Sequence, residues 1–248
     1  MNMLPIVRFS QKEYLEELQQ GHLFMRNIAY YQQYDKTDTV RSDQFDGSLP
    51  SFEYIPHPYE DKVIPSSGHF MRFNSFITCF FHYQHIYNDF LIIPPASAQD
   101  LKLLNCSYAL VVNTDRFIDA LQSHYNESTT VYCDVSYFSE NQLRAELAKY
   151  IPPAHPTHID HLFEFIKRDS FKNQQEFRVC IMKDTPAVKL FEEGLSKPIA
   201  QLSEKHMSIL TNSTLTLDIG SIKDFSQIIP TDILFNYSVG IKSLNIGY

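Results

Sequence analysis

Ser170 to Met182 read SFKNQQEFRVCIM, and the second half of this stretch decides the fold. A polar turn runs into strict alternation, with Phe177, Val179 and Ile181 on one side and Glu176, Arg178 and Cys180 on the other. A period of two is the mark of a β-strand, and it aligns Gln174, Glu176 and Arg178 on one face. Two readings follow. One is a solvated strand face whose charges pair across the sheet. The other is a Gln-x-Glu pair set at a strand entrance for its chemistry.

Working outward, strands and helices interleave without a regular βαβ rhythm. LPIVRF (4–9) reads as a strand. Ser10 caps a helix whose apolar stripe is Tyr14, Leu15 and Leu18, and Gly21 ends it. HLFMRN (22–27) is a second strand, and IAYYQQYD gives a helical turn or two. The Phe-rich run HFMRFNSFITCFFHY gives one or two strands. YALVVN (108–113) is a buried strand, after which Thr114 caps the helix DRFIDALQSH. TTVYCDVSY is a strand, and Ser139 with Gln142 forms a capping box. A helix is expected over about 157–167, with late strands in STLTLDIGSI and VGIKSLNI. This pattern predicts one α+β domain over residues 1–248, with mixed or antiparallel sheets and flanking helices.

Composition narrows the function. The 248 residues carry a formal net charge of −8, so no broad nucleic-acid-binding surface is expected. No apolar run reaches the length of a membrane span. The four cysteines lack a Cys-x-x-Cys spacing and read as buried, reduced thiols of a cytoplasmic protein. Glycine-rich phosphate loops, the Gly-x-Ser-x-Gly elbow and the His-Glu-x-x-His helix are all absent from the sequence. Of His155, His158 and His161, the spacing puts His158 and His161 on one helical face, but nothing in the sequence fixes their geometry or a fourth ligand, and no metal is assigned.

Four further places bear on chemistry. Arg8 sits on the opening strand, either as an exposed charge or as a ligand-facing one. Ser75 and Thr78 lie in an apolar run, where a buried hydroxyl needs a partner. RSDQFDG (41–47) is either a ligand loop that includes Arg41 and Asp43 or a turn held by Asx-type hydrogen bonds. Tyr30 and Tyr31 are candidates to stack on a planar ligand.

In chain order, IVRFSQKEYLEELQQGHLFM, YYQQYDKTDTVRSDQFDG, NSFITCFF, FKNQQEFRVCI and LDIGSIKDFS resemble uncharacterised bacterial proteins, among them abortive-infection proteins of the AbiGi type. That set shares an R-x-D-x-x-E-G-like loop, where this chain has Asp46, and a late Y-x-x-E-x-E-x-R strand, where it has Gln174. The same order is similar to the Arg–Ser–Glu plan of ADP-ribosyltransferases. By position Arg8, Ser75, and Gln174 with Glu176 fit that plan. The serine motif there is S-T-S-like and here reads N-S-F-I-T, which leaves Thr78 as a competitor.

The resemblance implies NAD as substrate and cleavage of its nicotinamide–ribose bond. Glu176 then stabilises an oxocarbenium-like centre, Gln174 orients the acceptor and Ser75 supports Glu176 or the ribose. Arg8 holds the pyrophosphate, Tyr30, Tyr31 or Phe80 stacks on nicotinamide, and Arg41 and Asp43 lie near donor or acceptor. A protein or a nucleic acid is a possible acceptor. The rival reading is a non-catalytic, antitoxin-like or sensor protein of a phage-defence system that binds a protein partner.

Overall fold

The backbone is described by a computed structural model for residues 3–33, 43, 46–50, 63–66, 69–83, 86–125, 130–139, 141–142, 163–195, 204–236 and 239–247. Its strands are β1 (Ile6–Ser10), β2 (His22–Asn27), β3 (Ser48–Pro50), β4 (Val63–Ser66), β5 (His69–Arg72), β6 (Ser75–His82), β7 (Ile86–Tyr87) and β8 (Phe90–Leu91). They continue with β9 (Tyr108–Val112), β10 (Thr130–Asp134), β11 (Ser136–Phe138), β12 (Ile166–Arg168), β13 (Glu176–Met182), β14 (Thr214–Asp218), β15 (Ser226–Pro230) and β16 (Val239–Gly240). The helices are α1 (Lys12–Gln19), α2 (Ala29–Gln33), α3 (Pro95–Lys102), α4 (Thr114–His124), α5 (Pro186–Leu195), α6 (Glu204–Thr211) and α7 (Thr231–Asn236). The chain is an α+β protein built on an antiparallel sheet.

An eight-stranded sheet organises everything else, and it forks. β13 pairs with β6 along its whole length, from Met182 opposite Ser75 to Glu176 opposite Phe81. On the other edge of β6 two strands share the space. β2 takes Phe76 and Ile77, and β1 takes Phe81 and His82. Thr78, Cys79 and Phe80 belong to neither ladder on that edge. β2 leads on to β14, and β1 leads on to β9 and β15, so the two branches part at the middle of β6.

Alternation gives each face of the sheet its own cover. Ile6, Phe80, Leu110, Phe177 and Val179 pack against Leu15 and Leu18 of α1, Phe117 and Leu121 of α4, and Phe191 of α5. The opposite face carries Val7, Phe81 and Val111 against Leu101 of α3 and Leu234 of α7. Farther along that same face Ile77 and Cys180 join Ile28 and Phe165 in a smaller apolar patch. Between these two patches lie Glu176 and Arg178, with Cys79 directly across from Arg178.

Several local expectations differ in detail from what forms. Gln11, not Ser10, is the N-cap of α1, and it makes no side-chain cap. Asn113, not Thr114, caps α4, accepting the Arg116 N–H at 3.2 Å, while Thr114 donates its hydroxyl to the Leu4 carbonyl at 2.5 Å. The capping box forms as read: Gln142 accepts the Ser139 N–H at 3.0 Å, and the Ser139 hydroxyl accepts the Gln142 N–H at 3.3 Å. Tyr14 leaves the core stripe of α1 and is 70% exposed. Cys133 is exposed rather than buried, though all four thiols are free. The single strand expected over 129–137 breaks at Val135, whose N–H turns to the Glu176 carbonyl at 2.8 Å.

Two larger corrections fall near the site. Of the helix expected over 157–167, the described part is not α-helical: Phe163–Phe165 is a short 3-10 turn and Ile166–Arg168 is β12, paired in parallel with β11. Of the strand expected in VGIKSLNI (239–246) only Val239–Gly240 is strand, followed by a 3-10 turn over Ile241–Ser243.

Candidate functional site

β13 is buried on both faces, so its polar side is not solvated. Arg178 is fully buried and Glu176 is 8% exposed. A guanidinium in that position needs its donors satisfied, and the partners come from far along the chain. Arg178 forms a bidentate pair with Asp46, Nη1 to Oδ1 at 2.6 Å and Nη2 to Oδ2 at 2.8 Å. Its Nε donates to Glu176 Oε2 at 2.7 Å, and its Nη1 also donates to the Glu164 carbonyl at 2.8 Å. The Asp46 backbone is held in turn by α2, where Gln32 Nε2 donates to its carbonyl at 2.7 Å.

Lys167 closes the group. β12 delivers its ammonium to Glu176 Oε1 at 2.6 Å and to Gln174 Oε1 at 2.7 Å, above the ring of Phe171 at 4.6 Å. Gln174 thus ends on the same ammonium as Glu176, although it closes a 3-10 helix (Asp169–Gln174) rather than extending the strand. Gln175, left-handed at φ 43, makes the turn between them.

The charges tune one another. Burial opposes ionisation of Glu176, but Arg178 and Lys167 outweigh it and hold the carboxyl well below the usual range. Burial favours a neutral Lys167, and Glu176 and Asp46 outweigh it, so its pKa rises. Arg178 is likewise pushed up, by Asp46 and Glu176 against burial. At neutral pH the site therefore holds an ionised carboxylate clasped by two cations. The Cys79 thiol is pushed up to about 12, first by burial and then by Glu176, and is no ready nucleophile.

The fork of the sheet opens a cleft of about 810 Å³ beside this network. Arg8, Tyr30, Tyr31, Gln174 and Glu176 all line it, so the structure brings together five of the residues singled out by sequence. Arg8 reaches into the gap between the branches and donates from Nη1 to the Cys79 carbonyl. Thr78 also faces the cleft. Ser75 does not. It lies opposite Met182, about 20 Å along the ladder from Glu176, and donates its buried hydroxyl to the Glu164 carboxylate. Asp43 is buried and ion-paired with Arg168, which makes it an anchor of its loop. Arg41, His155, His158 and His161 lie outside the described residues.

Four residues of the site escaped the sequence reading: Asp46, Lys167, Arg178 as a buried cation, and Arg26. A signal existed for two of them. Asp46 precedes Gly47 in the RSDQFDG loop, and Lys167 interrupts the apolar run FEFIK. Arg26, on β2, stacks over Tyr30 at 4.1 Å and Phe24 at 5.3 Å and lines the same cleft.

No protein-family model matches the chain, and no curated protein or solved structure is similar enough to it to establish a relationship. Among the described residues no helix is long and apolar enough to cross a membrane, and no cluster of His, Cys, Asp and Glu could hold a metal ion.

Proposed function

We propose that the cleft binds NAD and that the chain cleaves the nicotinamide–ribose bond, as an ADP-ribosyltransferase-like protein of a bacterial toxin or anti-phage system. The observation that carries this reading is the meeting of Arg8, from the opening strand, and Glu176, from β13, in one cleft. A volume of about 810 Å³ is ample for a dinucleotide.

As the C1′–N bond breaks, its electron pair stays with nicotinamide, which leaves neutral, and positive charge develops on the ribose. The ionised Glu176 stabilises that charge electrostatically. Water or another acceptor then adds to C1′ and gives up a proton. Tyr30 and Tyr31, edge to face at 5.3 Å, form an aromatic wall for the planar base.

One observation favours the second reading, a non-catalytic binding or sensor protein of such a system. Both Glu176 oxygens already accept from cations, Lys167 on one and Arg178 on the other. Catalysis needs part of that field to remain for the substrate, whereas binding does not.

Expression in bacterial cells separates the two. The transferase reading predicts a fall in cellular NAD and arrested growth with the wild-type chain, relieved by Glu176→Gln. Normal growth and unchanged NAD with well-expressed wild-type protein would favour the binding role.

A further inference from the structure

We infer that the two-stranded sheet of β11 and β12 is a positioning unit for Glu176, in which Tyr137 holds the backbone of that residue and Lys167 holds its carboxylate. The inference deepens the NAD reading and rests on it for the work that Glu176 does.

The Glu176 backbone is held in a way that an ordinary ladder would not require. Val135 donates its N–H to the Glu176 carbonyl at 2.8 Å. In an unbroken antiparallel ladder two residues so placed exchange both bonds, and the Glu176 N–H would return to the Val135 carbonyl. Here it donates to the Tyr137 hydroxyl at 2.9 Å, because the chain leaves the main sheet after Asp134 and turns into β11. A ladder bond asks nothing of the side chain, whereas this one needs a hydroxyl at position 137. Burial, and then the Glu176 charge, push the pKa of that hydroxyl up, so it accepts as a neutral phenol.

Tyr137 stands opposite Lys167 in the parallel pairing of β11 with β12. The Lys167 ammonium reaches Glu176 Oε1 at 2.6 Å and Gln174 Oε1 at 2.7 Å. One cross-strand pair thus grips Glu176 at its amide and at its carboxylate. The other face of the main sheet braces the same turn. Asp134 Oδ1 lies 2.6 Å from Nδ1 of His82, whose ring packs on Phe177 at 5.7 Å and whose backbone N–H donates to the Gln175 carbonyl at 2.8 Å. Phe177 belongs to the main core, on the face away from Glu176.

Tyr137→Phe removes the hydroxyl alone, and Tyr132→Phe is its control, since the Tyr132 hydroxyl accepts from Gln122 of α4 at 2.6 Å on the core face. Amide exchange at Glu176, followed by NMR relative to the Val179 amide of the same strand, is expected to quicken at least about tenfold in Tyr137→Phe. Tyr132→Phe should leave that ratio unchanged. In nicotinamide release from NAD, Tyr137→Phe is expected to lower kcat about tenfold with KM within about twofold, and Tyr132→Phe should match the wild type. A purely structural role would speed exchange at Glu176 and Val179 alike and would spare kcat. Exchange at Glu176 that quickens no more than at Val179, or wild-type kcat in folded Tyr137→Phe, would overturn the inference. If the wild type releases no nicotinamide, the NAD reading fails and the exchange ratio alone decides this one. Should Tyr137→Phe not fold, the same measurements on Asp134→Asn, at a half-exposed position, decide in its place.

Discussion

At the scale of single residues, the site is governed by Arg178, a buried cation whose two carboxylate partners both precede it in sequence, one near and one far. Glu176 is two residues away and Asp46 is 132 residues away. Removing one member of such a set strands the others in a low-dielectric interior, whereas removing a matched pair costs far less. Arg178→Met is therefore expected to lower unfolding free energy by about 3–5 kcal/mol, measured by urea denaturation. Asp46→Leu combined with Arg178→Met should recover part of that loss, because the two effects are strongly non-additive. The pH dependence follows from the shifts. Glu176 ionises below the ~4.3 of an unfolded glutamate, so its contribution is complete above that value and fades as pH falls toward its folded pKa. The Lys167 pKa is raised, so its contribution is complete below the ~10.4 of an unfolded lysine and is lost as pH rises through the folded value. The contribution of Glu176 and Lys167 to the unfolding free energy of the wild type, followed by urea denaturation across pH, should thus stay flat between about pH 5 and pH 10. A contribution that falls near neutrality in the wild type would show that the network is not ionised as described. The same geometry corrects an expectation about Glu176, which is no solvent-facing strand position. Glu176→Gln removes the charge between two buried cations, so its folding must be verified before its activity is interpreted.

At the scale of elements, what was legible in sequence depended on how far each decision reached. The capping box of Ser139 and Gln142 spans three residues and formed as read. The alternation in FRVCIM gave β13, but alternation separates two kinds of surroundings and does not say which is wet. A strand buried under helices on one face and under an ion-pair network on the other has the same pattern as a half-solvated strand. Lys167 shows a different limit. Its apolar neighbours Phe165 and Ile166 suit a helix or a strand equally well, and pairing with β11 settled the matter in favour of strand. Gly21 was read correctly as a turn after α1, yet its tightest constraint is tertiary. Its φ is +105, and an added Cβ would collide with the backbone carbonyl of Gly220. Gly21→Ala is expected to cost about 2–4 kcal/mol, read as a lower urea midpoint with an unchanged m-value. A cost under about 0.5 kcal/mol would mean that the α1–β2 turn and the segment after β14 are not in contact.

At the scale of the whole molecule, the candidate cleft is placed by the fork in the sheet. Because β1 and β2 share one edge of β6 and then separate, three residues in the middle of β6 face a gap instead of a neighbouring strand. Arg8 and Arg26 enter from its two sides, and Glu176 lies beside it on β13. Arg8, Tyr30, Tyr31, Gln174 and Glu176 could be proposed from sequence because each carries a recognisable chemistry on a recognisable element. Ser75 could not be ruled out there, since its distance from Glu176 depends on the register of β6 against β13, which no local pattern fixes. Arg26 was passed over because an arginine in a strand is ordinary until its neighbours across the sheet are known.

The most direct test of the account is free nicotinamide in a mixture of the purified chain and NAD. The wild-type protein is expected to release nicotinamide above the buffer rate. Glu176→Gln, shown by circular dichroism to be folded, should fall by about 10²-fold or more. Nicotinamide that stays at the buffer level with the wild type, or that forms equally fast with folded Glu176→Gln, would contradict the assignment of this cleft as a site of NAD cleavage.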